Sequence, residues 1–178
     1  FYRRVGYVHQ PRAVMARWLD PARQKNATHG IDVVVTYLEM IAPPVRPSIP
    51  APPGKLALLR LDHPPVAFYR YLYNSVGEPW FWIDRRLLDD AALAAIITDS
   101  TVEIYVLYVG GVPAGFAEID RRPTPDIALA YFGLFPEFIG RGFGTYLLNW
   151  AIDTAWQYRP RRLIVDTCTL DHPKALQV

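Results

Sequence analysis

Hydrophobic positions along this chain follow two periods, one typical of strands and one typical of helices. Short apolar runs rich in β-branched and aromatic residues predict strands at 31–40, 55–61, 102–109, 112–119 and 162–169. Helical spacing predicts helices at 64–76 and at 89–98, a short helix at 13–19, and a longer helix from Thr145. Clustered prolines between positions 43 and 53 predict an extended loop. This order of elements predicts an α/β protein with helices packed on a mixed β-sheet.

The most informative segment is a strand, a turn and a helix centred on alternating glycines. An apolar run at 131–135 predicts a buried strand. Gly140, Gly142 and Gly144 follow it, and they permit positive φ angles and close approach of a ligand to the backbone. Because a helical pattern begins at Thr145, its free first-turn amides and its dipole would face these glycines. The segment therefore predicts a site for a phosphate or diphosphate.

Two common phosphate-binding motifs do not fit this turn. A Walker loop needs Lys and then Ser or Thr after its last glycine, whereas Thr145 and Tyr146 follow Gly144 here. The dinucleotide fingerprint needs G-x-G-x-x-G near the start of a βαβ unit, whereas this G-x-G-x-G lies towards the C-terminus. Both nucleotide-binding interpretations are therefore poor.

The segment instead resembles motif A of the GNAT superfamily of acyl-CoA-dependent N-acetyltransferases. In that motif, a strand ending in Pro-Glu-aromatic leads to Q/R-x-x-G-x-G/A and two leucines, which correspond here to residues 139–144, Leu147 and Leu148. The hairpin at 102–119 and the elements at 162–176, a strand and the start of a helix, follow the family's order. Because Ile139 stands where the family usually has Gln or Arg, we expect diphosphate binding to depend on backbone amides.

The resemblance implies a fold and a cofactor site. It implies a single GNAT-like domain at 31–178, with residues 1–30 as an N-terminal extension. Two central parallel strands separate in this family, and the acyl-CoA enters the gap between them. By match to the family motif, and with Arg141 as a supplementary phosphate cation, the residues expected to bind acetyl-CoA are Leu134, Phe135, Gly140, Arg141, Gly142, Phe143, Gly144, Thr145 and His172.

The implied reaction is direct attack of a neutral amine on the thioester carbonyl, followed by departure of the thiolate. A base must remove one proton from the amine. Glu118, late in the second hairpin strand, and Asp126, before the glycine-turn strand, are the catalytic candidates, because burial can raise a carboxylate pKa. The structural alternatives are a solvent-facing strand residue for Glu118 and a turn residue for Asp126.

The family's usual general acid is a tyrosine in the last helix, and the sequence stops at Val178 before that position. We expect this tyrosine and the closing strands beyond Val178, because a sheet ending here would leave an unpaired edge beside the cofactor cleft.

The segment that lines the acceptor side of the site in this family is rich in aromatic residues here. Such a lining suits an aromatic or cationic amine. Packing in the core is the alternative for each of these residues. These residues are Tyr69, Tyr71, Tyr73, Trp80, Phe81 and Trp82.

Composition narrows the choice of function class. The chain has 178 residues, 51% of them hydrophobic, and can bury the core of one domain. A formal charge of +2 with scattered arginines argues against a nucleic-acid partner. One cysteine and four separated histidines predict neither an internal disulfide nor a metal site. Neither a membrane-length apolar run nor a signal-peptide pattern is present, so we expect a cytoplasmic protein.

Together these observations predict an N-acetyltransferase that uses acetyl-CoA to acetylate a primary amine of a small molecule or peptide. The alternative is a catalytically silent CoA-binding or sensing module, because Ile139 is atypical and neither carboxylate is a clear base. A third interpretation is a generic phosphate-binding α/β protein.

Overall fold

The fold is seen in a computed structural model that describes residues 8–17, 31–173 and 175. Within these residues, seven strands form one sheet in the order β1-β2-β7-β6-β5-β4-β3. The strands are β1 Val8–Arg17, β2 Ile31–Met40, β3 Leu56–Arg60, β4 Val102–Val109, β5 Val112–Asp120, β6 Ile127–Leu134 and β7 Leu163–Cys168. The helices are α1 Val66–Gly77, α2 Asp90–Ile97 and α3 Phe143–Gln157. The sheet is mixed, because β6 and β7 are parallel while the other neighbours are antiparallel.

Both faces of the sheet are covered by helices. Alternation along β4 and β5 sends Val106 and Phe116 to the face under α1 and α2, and Leu107 and Ile119 to the face under α3. The α1 side chains that follow helical spacing towards the sheet are Tyr69, Leu72, Tyr73 and Val76. Two hydrophobic clusters result, one on each face, so the predicted mixed sheet flanked by helices is confirmed.

Several local predictions are confirmed at the level of single turns. The β4–β5 hairpin turns at Gly110 and Gly111, which both have positive φ. Asp89 is the N-cap of α2, and its side chain accepts a hydrogen bond from the Ala92 amide at 2.8 Å. Helix α3 begins at Phe143, two residues before the predicted start, because Gly142 ends the turn in a left-handed conformation.

Two helix predictions are wrong over the described residues. The segment predicted as a helix at 13–19 is a strand as far as Arg17, because its backbone pairs with β2; residues 18 and 19 lie outside the described part. The helix start predicted at 170–176 is a turn from Leu170 to Pro173, because the Asp171 carboxylate accepts from the side chain of Thr167 and from the amide of Cys168. Beyond that turn only Ala175 is described.

The unpaired sheet edge expected beside the cofactor cleft does not occur. Strand β2 pairs with β7 from Val35 opposite Cys168 to Met40 opposite Leu163. Because β7 is paired with β2, an open edge is no longer a reason to expect further strands after β7. The division into an extension at 1–30 and a domain at 31–178 stays a prediction, although the described part of that extension joins the sheet as β1.

Candidate active site

A pocket of about 570 Å³ lies where the two parallel strands separate. Strands β6 and β7 pair only at Ile127 with Leu163 and at Ala128 with Ile164, and then diverge. An extra residue in β6 shifts its register against β5 between Leu129 and Tyr131, a bulge next to the pocket. The pocket is bounded by the diverging strands, by the glycine turn and by the segment after α1.

The glycine turn forms one end of the pocket. Gly140 and Gly142 have φ angles of 82° and 83°, a conformation that disfavours other residues. The first backbone hydrogen bond of α3 runs from the Tyr146 amide to the Gly142 carbonyl at 3.2 Å. The amides between them therefore have no partner within the helix, and they lie at the positive end of its dipole. This arrangement fits an anionic group such as a diphosphate.

The structure brings six of the nine predicted cofactor residues to the pocket. The six lining residues are Leu134, Gly140, Gly142, Gly144, Thr145 and His172. The other three do not line it. The Phe135 amide donates to the Ala114 carbonyl at 2.9 Å, towards β5 and away from the gap. The Phe143 side chain is buried in the core below the turn, and the Arg141 guanidinium lies 5.1 Å from its ring centroid. Arg141 is exposed beside the turn.

An aromatic wall forms the other end of the pocket. Its members among the predicted acceptor-side residues are Tyr73, Trp80, Phe81 and Trp82, joined by Tyr131 from β6. The Tyr131 ring centroid lies 5.0 Å from that of Tyr73 and 5.2 Å from that of Trp82. Tyr69 is fully buried behind this wall, and Tyr71 lies outside it against Phe135.

Three carboxylates that the sequence interpretation missed also line the pocket: Asp84, Asp166 and Asp171. Asp171 is held by Trp82 Nε1 at 3.3 Å and by Thr167 Oγ1 at 2.6 Å. The pocket lining, as far as the chain is described, contains neither Lys nor Arg. The pocket is therefore both aromatic and acidic, a combination that suits a cation.

Two tyrosine hydroxyls in the pocket stay protonated at neutral pH. Burial raises the pKa of both Tyr73 and Tyr131. The Arg85 amide donates to the Tyr73 oxygen at 3.3 Å. Both hydroxyls therefore carry a proton in the pocket at neutral pH.

Neither predicted catalytic carboxylate lines the pocket. Glu118 has no exposed surface, so its interpretation as a solvent-facing strand residue is wrong. Its carboxylate accepts from Tyr69 and from Arg85 behind the wall. Asp126 lies in the turn between β5 and β6, where hydrogen bonds from Arg161 and Arg162 lower its pKa. The structure therefore does not bring these two carboxylates together with the glycine turn.

Two further features concern other kinds of site. No group of three or more His, Cys, Asp or Glu side chains within 31–173 is arranged to hold a metal ion. The helices of the described residues are too short or too polar to cross a membrane.

Comparison with known proteins agrees with the geometry of this pocket. The model of the acetyltransferase (GNAT) family matches residues 68–178, more than half of the chain. The protein belongs to the GNAT acetyltransferase family, as the glycine-turn motif predicts. The match begins within α1, so β1, β2 and β3 lie outside it. No curated protein sequence matches the chain.

Solved structures show the same fold at low sequence identity. An aminoglycoside acetyltransferase from an uncultured soil metagenomic sample, in complex with trehalose, has a TM-score of 0.53 and 11% identity, and the match covers 65% of this chain and 80% of that one. The same enzyme in complex with sisomicin has a TM-score of 0.52 and 10% identity over 67% of this chain and 80% of that one. A second aminoglycoside acetyltransferase, HMB0005, also from an uncultured soil metagenomic sample, has a TM-score of 0.50 and 13% identity over 62% and 78%.

Proposed function

We propose that this protein transfers the acetyl group of acetyl-CoA to a primary amine of a small molecule or peptide, by direct attack within a ternary complex. The observation that carries the proposal is the pocket itself, which joins an anion-binding glycine turn to an aromatic and acidic wall across the gap between β6 and β7. The diphosphate of an acyl-CoA would bind at the glycine turn, and an amine suits the aromatic and acidic wall. The family supplies acetyl transfer as the chemistry.

On the cofactor side, the glycine turn would bind the diphosphate through backbone amides. Gly142 is the N-cap of α3 and has no side chain that could bond to these amides. Leu134 lines the gap where β6 has left β7, so its backbone lies beside the path expected for the pantetheine arm. Arg141 is exposed next to the turn and would contribute a cation from outside the pocket.

On the acceptor side, the wall favours an amine that carries positive charge. A cation over the faces of Trp82 and Tyr131 would gain about 0.5–2 kcal/mol for each good ring contact, and Asp84 adds a negative charge beside them. A diamine or polyamine satisfies both requirements, since one ammonium can remain charged while the other amino group loses its proton and attacks. The soil aminoglycoside acetyltransferase of the same fold was solved in complex with sisomicin, which is consistent with a small-molecule acceptor.

The proton of the attacking amine needs an acceptor in the pocket. The carboxylates of Asp84, Asp166 and Asp171 line it and replace Glu118 and Asp126 as the candidates. The protonated hydroxyls of Tyr73 and Tyr131 are candidates for stabilising the oxyanion or for returning a proton to the leaving thiolate.

A charge placed in the glycine turn tests this proposal. Gly142→Glu should abolish acetyl-CoA binding, because it puts an anion and a side chain at the diphosphate position. Gly111→Glu is the matched control, since Gly111 has a similar φ of 93°, open space around its Cβ position, and a place in the hairpin turn away from the pocket. Isothermal titration with acetyl-CoA would measure both variants. Equal affinity in the two variants would show that the diphosphate does not bind at this turn.

A catalytically silent CoA-binding module is the second candidate. Ile139 lacks the polar or cationic side chain that is usual at this motif position, and it is 39% exposed at the pocket. This candidate predicts acetyl-CoA binding without turnover. Release of free thiol would be followed with putrescine, spermidine, tryptamine and a short lysine peptide. Turnover with any of them favours the enzyme, whereas tight acetyl-CoA binding with no thiol release from the whole panel favours the silent module.

A further inference from the structure

The segment that carries the acceptor wall has little regular structure of its own. Residues 81–86, here called the wall segment, lie between a 3-10 turn at Glu78–Trp80 and helix α2. The wall segment brings Trp82 and Asp84 into the pocket. Its backbone hydrogen bonds are those of turns, such as the Trp82 amide to the Gly77 carbonyl at 3.0 Å and the Arg86 amide to the Ile83 carbonyl at 2.9 Å. Side-chain contacts therefore contribute to its position against the sheet.

One of these contacts is an ion pair behind the wall. Arg85 Nη2 donates to Glu118 Oε1 at 2.6 Å, and Tyr69 donates its hydroxyl to Glu118 Oε2 at 2.5 Å. The Arg85 side chain is only 11% exposed, and that of Glu118 is not exposed at all. Both oxygens of the carboxylate are therefore engaged, and the pair lies where solvent screens it little.

Arg85 links this ion pair to the pocket in two ways. Its guanidinium carbon lies 5.1 Å from the ring centroid of Tyr131, and its backbone amide donates to the Tyr73 hydroxyl at 3.3 Å. Both tyrosines line the pocket. In addition, Glu118 is the strand partner of Tyr131 across β5 and β6. One arginine thus connects a buried carboxylate to the wall segment and to two lining rings.

We propose that Glu118 is a positioning residue, whose buried carboxylate holds Arg85 and through it fixes the wall segment on the amine side of the pocket. Glu118 does not line the pocket, and its carboxylate has no exposed surface that a substrate could reach. A direct role as proton acceptor is therefore not what this geometry provides.

The role assigned to the wall in binding the amine rests on the proposed acetyl transfer. The first test, hydrogen exchange without a ligand, does not depend on that proposed function. Glu118→Gln removes the charge and keeps the side-chain shape. Hydrogen exchange measured without any ligand should show amide exchange in the wall segment that is at least about tenfold faster than in the wild type. Exchange in the glycine turn and in β6 should be unchanged.

A buried glutamate elsewhere in the sheet provides the matched control. Glu103 on β4 is 1% exposed and binds Tyr105 and Tyr158 at a site outside the pocket lining. Glu103→Gln should lower the melting temperature without faster exchange in the wall segment. The inference is overturned if Glu118→Gln leaves exchange in the wall segment at the wild-type rate, or if Glu103→Gln accelerates it equally.

Kinetics separate positioning from proton transfer. With spermidine as the acceptor probe, Glu118→Gln should raise the acceptor KM by about 10-fold to 100-fold and leave the acetyl-CoA dissociation constant unchanged. The double variant Arg85→Gln/Glu118→Gln removes the unpaired buried cation and should recover part of that loss. A fall in kcat with unchanged KM that the double variant does not recover would assign Glu118 to proton transfer and contradict the inference. Failure of the wild type to bind acetyl-CoA would refute the proposed function, and the exchange result would then decide the role of Glu118.

Discussion

Single carboxylates in this protein differ in their partners, and the partners decide what each can do. Glu118 is enclosed by Tyr69 and Arg85, Asp126 is held by arginines in a turn, and Asp171 faces the pocket. A buried carboxylate bound to arginine serves structure, whereas one that lines a cleft can meet a substrate. The charge on a residue is therefore less informative than the direction in which its side chain points.

The Asp126 turn gives a prediction about pH. Hydrogen bonds from Arg161 and Arg162 lower the Asp126 pKa. A lowered folded-state pKa contributes stability above the ordinary aspartate pKa of about 3.9, and that contribution is lost as pH falls through the lower folded value. Asp126→Asn should therefore lose about 1 kcal/mol of stability at pH 7. In a chain of this length, that loss lowers the melting temperature by about 2–4 °C relative to the wild type.

The difference between the melting curves should close as the pH is lowered below about 4. Asp62→Asn is the control, because the Asp62 side chain is 97% exposed, and it should match the wild type at every pH. A gap between Asp126→Asn and the wild type that persists at the lowest pH where the protein stays folded would show that the arginine pairing is not its cause.

What the sequence reveals about single residues depends on whether a local rule governs them. The glycines of the turn were predicted because positive φ angles and amide exposure are local properties. The role of Glu118 was not, because its partner Arg85 is brought to it by packing of a segment with no regular pattern. Asp84 was missed for the same reason, since the position of the wall segment over the pocket depends on contacts with β5 and β6.

At the scale of elements, helix caps and hairpin turns can be predicted from the sequence, whereas the pairing partners of strands cannot. The cap at Asp89 and the hairpin turn at Gly110 and Gly111 form as their local chemistry predicts. The segment at 13–17, by contrast, has a helical pattern and forms β1, because pairing with β2 outweighs its weak local preference. Sequence patterns therefore identified caps and tight turns better than segments whose structure depends on distant partners.

The cap of α2 provides a test at this scale. Asp89→Ala removes the side-chain acceptor of the Ala92 amide and should cost about 1 kcal/mol of stability, which lowers the melting temperature by about 2–4 °C. Asp89→Ser can still accept that hydrogen bond and should lose less. Thermal unfolding followed by circular dichroism would compare the three proteins. An alanine variant that melts with the wild type would mean that the cap contributes nothing to this helix.

At the scale of the whole molecule, the gap between β6 and β7 organises the site. Hydrophobic clusters on both faces hold the sheet rigid, so the strands can diverge and still present a fixed backbone to a ligand. The glycine turn lies at one end of this gap and the aromatic, acidic wall at the other. The family's order of elements was readable from the sequence, because motif A and the hairpin are local, whereas the pairing of β2 with β7 was not.

The central claim is that this pocket binds acetyl-CoA, and a thermal-shift titration of the purified protein with acetyl-CoA, CoA and ATP tests it most directly. A ligand that binds only the folded state stabilises it by about 2.7 kcal/mol at a concentration of 100 times its Kd, which corresponds to about 5–10 °C here. We predict shifts of this size with acetyl-CoA and with CoA, and none with ATP at the same concentration. No shift with either CoA species, or an equal shift with ATP, would contradict the account.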